Sequence, residues 1–169
     1  MTAAKSEDDM FEALFKAEYG RVAGIANRVL ADSHEAEDVA QEVFLDFRRL
    51  HSAKSPYAAP WLYRAAAHTA LNRLRGRRRR ERREFAQAVD DSSSAVDPQR
   101  VAETNEDRLR VRKALGRLPA KPAAVLVLRS SGLSYAEVAQ AIGVGTGQIG
   151  TLLRRAEAAL RKEVTRGTP

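Results

Sequence analysis

The chain has 169 residues, enough for one medium domain or two small ones, with 44% hydrophobic residues, a net charge of +7 and no cysteine. The missing cysteine excludes a disulfide framework, thiolate metal sites and cysteine nucleophiles, and suits a reducing, cytoplasmic setting. Residues 1–10 are polar and acidic, and no apolar run approaches the ~20 residues needed to cross a bilayer.

The distribution of charge is more informative than its sum. Residues 1–55 hold 7 basic and 11 acidic side chains; residues 56–83 hold 9 and 1; residues 84–107 hold 1 and 7; residues 108–169 hold 12 and 3. Two basic blocks flank an acidic spacer. Charge alone admits two readings, a pair of surfaces for a polyanion or a pair of solvated faces.

Ala, Leu, Arg and Glu dominate and β-branched alternation is nearly absent, so the expected fold class is all-α. A first helical pair is expected over 7–18 and 20–31, with Phe11, Leu14 and Phe15, then Val22, Ile25, Ala26, Val29 and Leu30, as its apolar positions. Asp32 offers an N-cap, with Glu35 three residues on to close a capping box. The next helix carries Ala36, Val39, Ala40, Val43, Phe47 and Leu50 on one stripe and Glu35, Asp38, Gln41, Glu42, Leu45 and Arg49 on the other. Two prolines break Ser52–Pro60, after which a long helix runs to about Arg83. Residues 85–104 lose all periodicity and read as an exposed, flexible linker. A second domain then begins, with helices ending before Pro119, over 121–130, from Ser134 to Gly143, and from about Thr146 to Val164. The expected organisation is thus a first domain over 1–84, an acidic linker over 85–104 and a second domain over 105–169.

Three constellations could carry function. The pair of helices around Gly143–Gly145 forms a helix-turn-helix. Its second helix turns Ile149, Leu153, Ala156 and Leu160 inward and Gln148, Thr151, Arg154, Arg155 and Arg161 outward. Gln, Thr and Arg suit base edges and phosphates; the competing reading is an ordinary helical hairpin with solvated arginines. In the helix after Pro60, Trp61, Arg64, His68, Asn72, Arg75 and Arg79 fall within a stripe roughly 80° wide. Tyr63, Ala66, Ala67, Ala70, Leu71 and Leu74 face away from that stripe. An aromatic plane in line with guanidiniums suits unpaired or distorted DNA, although Trp61 beside a proline reads equally well as core. The third constellation is the acidic face of Asp38, Gln41, Glu42 and Leu45, which on a DNA-binding protein would meet a protein partner or water. His34, Asp38 and Glu42 have helical spacing for a metal, but no second histidine stands near and the Glu-x-x-His of di-iron bundles is missing. Nothing has the look of a catalytic motif, and no cofactor is expected.

The stretches AEDVAQEVFLDFRRL and PWLYRAAAHTALNRLRGRRRR resemble domain 2 of the extracytoplasmic-function (ECF) sigma factors of the sigma-70 family. ALGRLPAKPAAVLVLRSSGLSYAEVAQAIGV resembles their domain 4. The resemblance spans roughly 8–83 and 106–163. It implies that Asp38, Gln41 and Glu42 dock on the β′ clamp helices of core RNA polymerase. It also implies that Trp61, Arg64, His68, Asn72 and Arg75 read and melt the promoter −10 element, with a base flipped into a domain-2 pocket. The last helix would enter the −35 major groove, with Thr146, Gln148, Thr151, Arg154 and Arg155 in contact. The linker, through Asp90, Asp91 and Asp97, would thread toward the RNA exit path. An anti-sigma factor is a further partner common in the family. The chain departs from the family pattern at His68 (often Asn), Asn72 (often Asp), Gly150 (typically Lys) and Leu152 (typically Arg), which points to a weaker or altered −35 contact. The alternative is a helix-turn-helix regulator that binds DNA without polymerase, for which no dimerisation segment is visible.

Overall fold

The computed structural model describes residues 6–88 and 103–167. Among them every regular element is helical, in the order α1 (Glu7–Leu30), α2 (Ser33–Leu50), α3 (Ala58–Ala88), α4 (Glu103–Arg117), α5 (Ala120–Ser130), α6 (Tyr135–Ile142) and α7 (Ile149–Arg166). The expected all-α class is what the fold shows.

Capping chemistry sets most of the boundaries. Ser6 and Asp9 form a reciprocal capping box at the start of α1. The expected break near residue 19 does not occur: α1 runs unbroken through Gly20, because Val22, Ile25, Ala26, Val29 and Leu30 are buried on one continuous face. That burial outweighs the ~1 kcal/mol a mid-helix glycine costs. Asp32 caps α2, accepting from the His34 and Glu35 N–H groups at 3.0 and 3.1 Å. The expected return arm of the box is absent, since the Glu35 carboxylate pairs with Arg77 of α3 instead. Ser134 and Glu137 do close a box at α6. Gly143, with φ of 75°, ends that helix in the left-handed region that favours glycine. Thr146–Gln148 form one 3₁₀ turn that leads into α7.

In the first three-helix layer, Ala36, Val39, Ala40, Val43 and Phe47 are buried as the stripe requires. Phe44 joins them, packed among Phe11, Phe15 and Tyr19. Leu50 does not. It is 61% exposed, being the last residue of α2, where the chain leaves the helix through an extended His51. Tyr63, Ala66, Ala67, Ala70, Leu71 and Leu74 of α3 are all buried, as their face predicted. Pro60 sits in the first turn of α3, where its missing N–H is not required. The helix continues five residues past the expected Arg83 end, into sequence read as linker; Asp90, Asp91 and Asp97 lie outside the described residues.

The second layer, α4–α7, closes around Leu128, Leu133, Val138 and Ile149. The two layers do not stand apart: α3 packs on α5 and α6, and one apolar cluster runs through both. Arg75 of α3 fixes this junction by donating to the Gly116 carbonyl at 3.3 Å and the Leu118 carbonyl at 2.8 Å. Across the same seam Arg21 of α1 pairs with Glu137 of α6 at 3.0 Å, and within the first layer it donates to the Tyr63 hydroxyl at 3.2 Å.

Candidate nucleic-acid interface

The α3 stripe is real as a surface, but its members are unequal. Arg64, Asn72 and Arg79 are exposed, whereas Trp61, His68 and Arg75 are half-buried. Trp61 combines both of its readings. Its ring packs against Phe47, with centroids 5.5 Å apart, and meets the His51 ring at 4.9 Å, while part of it still faces solvent. Arg75 spends its Nε and one Nη on two backbone carbonyls of the second layer, so only the rest of its guanidinium is left for a phosphate in this arrangement. Burial, and after it the Arg64 and Arg75 cations, push the His68 imidazole below the ordinary histidine value, which favours its neutral form.

The acidic face of α2 is also formed. Asp38, Gln41 and Glu42 are exposed along one side, with Leu45 66% exposed among them. Glu42 is not free, however: Arg73 of α3 holds it at 2.7 Å. The sequence reading missed this pair because 31 positions separate the two residues and no local period links them. Arg77, within the run RGRRRR, is tied down likewise: it donates to the Leu30 carbonyl at the end of α1 and pairs with Glu35. Among the described residues no cluster of three His, Asp or Glu could hold a metal ion.

On α7, Gln148, Thr151, Arg154, Arg155 and Arg161 are exposed, and so is Thr146 in the turn before them. Ile149 and Ala156 are fully buried; Leu153 and Leu160 are partly so. Leu152, where the family typically has arginine, is partly buried and packs against the core. Gly150 does face open space: a Cβ added there would meet only the Tyr135 ring, at an ordinary 4.0 Å. Arg129 lies over that same ring, 5.2 Å from its centroid, at the edge of the helix-turn-helix.

Residues 14–80 match Sigma-70 region 2 and residues 108–160 match Sigma-70 region 4. The chain is 31% identical over 153 residues to the RNA polymerase sigma-H factor of Pseudomonas aeruginosa, with 84% of this chain and 79% of that one covered. It is 31% identical over 167 residues to the ECF RNA polymerase sigma factor SigK of Mycobacterium ulcerans, covering 94% and 87%. Against SigE of Mycolicibacterium smegmatis it is 32% identical over 145 residues, covering 83% of this chain and 56% of that one. In fold it is similar to CnrH, solved in complex with the cytosolic domain of CnrY, with a TM-score of 0.54 at 18% identity over 94% and 89% of the chains. Both regions match in order, and full-length relatives align across them: the chain belongs to the extracytoplasmic-function sigma factors of the sigma-70 family.

Proposed function

We propose that this sigma factor seats itself on core RNA polymerase through the α2 face of Asp38, Gln41 and Glu42, the face the family places against the β′ clamp helices. The α3 stripe of Trp61, Arg64, His68, Asn72 and Arg75 then reads and opens the −10 element. Thr146, Gln148, Thr151, Arg154 and Arg155 at the start of α7 contact the −35 element. The observation that carries the assignment is the sidedness of α2: one face is fully buried, while the other presents Asp38, Gln41 and Glu42 around a leucine 66% exposed. An acidic surface repels DNA, and an exposed leucine ringed by polar groups is the form a protein docking site takes.

Opening DNA costs a few kcal/mol for each base taken out of the stack. Stacking on an aromatic plane returns ~1–3 kcal/mol per base, and Arg64 and Arg79 are exposed to hold backbone phosphates. Those magnitudes nearly cancel, so the polymerase surface has to supply the remainder. The domain boundaries follow the same division, with residues 1–84 serving the polymerase and the −10 element and 105–169 the −35 element. An anti-sigma factor is a further partner that the family membership implies.

Reversing charge on the docking face tests the assignment. The Asp38→Lys/Glu42→Lys double variant should fold with an unchanged helical signal but fail to co-elute with core polymerase, and run-off transcription should fall at least tenfold. Normal holoenzyme assembly by that variant removes the docking role. It would favour a DNA-binding regulator that works without polymerase.

A further inference from the structure

Before α3 begins, residues 51–57 cross the end of α2 and bring two rings, His51 and Tyr57, together with Trp61 of α3. His51 lies between Trp61, at 4.9 Å, and Tyr57, at 5.6 Å, and Tyr57 is 50% exposed. This aromatic edge is continuous with the −10 stripe. Residues 51–57 hold few regular backbone bonds of their own, chiefly Ser55 N–H to the Ser52 carbonyl at 3.0 Å and Ala58 N–H to the Ser55 carbonyl at 3.1 Å. Something else has to hold the segment in place.

That restraint comes from the far end of α1. The Glu7 carboxylate accepts the Ala53 N–H at 2.6 Å and the Ser52 hydroxyl at 2.9 and 3.0 Å, although Ser52 lies 45 positions away in the chain. Ser52 Oγ in turn accepts the Lys54 N–H at 3.2 Å. Next to it, Asp8 pairs with Arg48 of α2 at 3.1 Å, and the Arg48 guanidinium sits 5.4 Å from the Phe11 ring centroid. A carboxylate beside a site for a polyanion is unfavourable by charge alone. Here its lone pairs are turned to loop donors, and those donors hold its carboxyl below the usual carboxylate value.

We infer that Glu7 is a positioning residue for −10 recognition: it anchors Ser52 and Ala53 so that His51, Tyr57 and Trp61 present one preformed aromatic edge to an unpaired base. The inference rests on the −10 role proposed for Trp61 and deepens it. Preformation matters because a loop ordered only on binding subtracts its ordering cost from every base it reads.

The test uses holoenzyme assembled from core polymerase and the full chain, incubated with a pool of randomised single-stranded 12-mer DNA whose bound fraction is sequenced. Glu7→Ala should flatten base preference at one or two positions by about tenfold, the lower part of what one stacked base contributes. Glu7→Gln should keep the preference, since its amide oxygen still accepts from Ser52 and Ala53. Equal flattening by both variants means that charge and not placement matters, and overturns the inference. Trp61→Ala separates the two layers of the argument. If it flattens the profile while Glu7→Ala does not, the positioning role falls and the −10 role of Trp61 stands; if Trp61→Ala changes nothing, both fall. Should Glu7→Ala fail to fold, Ser52→Ala asks the same question from the loop side, and an unaltered profile there is equally fatal.

Discussion

His68 shows how one residue can report on its surroundings. It lies half-buried on α3 between Arg64 and Arg75, and both burial and those cations disfavour its charged form. Its folded value therefore lies below the ordinary 6.5 that the unfolded chain would show. Between the two values the unfolded chain binds more protons, so stability rises with pH across that window. The contribution of a neutral His68 is complete above 6.5 and is lost as the pH falls below it. His68→Asn, which keeps a polar side chain without a titration, should abolish that part of the slope. Urea midpoints measured from about pH 5 to pH 7.5 decide the matter. An unchanged slope in the variant would place the titration elsewhere.

At the scale of elements, α7, the helix proposed to contact the −35 element, carries a glycine within its first turn where the family pattern has lysine. The position has ordinary room for a side chain, with only the Tyr135 ring at 4.0 Å. Gly150→Lys should raise helix stability by up to ~1 kcal/mol from propensity, less a few tenths for a cation near a helix N-terminus. It should also tighten binding of the holoenzyme to −35 duplex DNA and steepen the dependence of log affinity on log salt by about 0.9, the value of one more phosphate contact. A titration in which neither quantity moves would show that Gly150 does not face DNA. The same helix shows what a sequence can and cannot convey. The inward set on α7 and the buried face of α3 follow from a 3.6-residue period, and so were legible. Leu152, noted only through family correspondence and not through periodicity, packs against the core. α1 is continuous where two helices are expected, because the burial that carries it through Gly20 is tertiary and not local. Glu7 with Ser52, Glu42 with Arg73, and Arg75 with Gly116 join residues more than 30 positions apart. No periodicity encodes such pairs.

For the whole molecule, the decisive feature is that the two helical layers share a core and spend a proposed DNA-binding arginine on the seam. Arg75 is held against the second layer by its Nε and one Nη, which donate to the Gly116 and Leu118 carbonyls, so freeing its whole guanidinium for the −10 stripe requires the layers to part at that point. The ion pair across the seam, Arg21 with Glu137, is more than a third exposed on both sides and so contributes at most ~1 kcal/mol. Replacing attraction by repulsion has a larger effect than deletion, and Arg21→Glu places two carboxylates face to face. The seam also relies on apolar burial, which that change leaves intact, so the shift should be partial. A compact chain of this length has a radius of gyration of ~15 Å. Small-angle scattering of free Arg21→Glu should show a measurably larger value than the parent, and the free variant should bind single-stranded DNA several-fold more tightly as Arg75 is released. Assembly with core polymerase should be unaffected, because the α2 face proposed for docking lies away from the seam residues. If the variant scatters like the parent yet binds DNA more tightly, Arg75 does not limit access. If it opens without any gain in DNA binding, the phosphate role given to Arg75 is wrong.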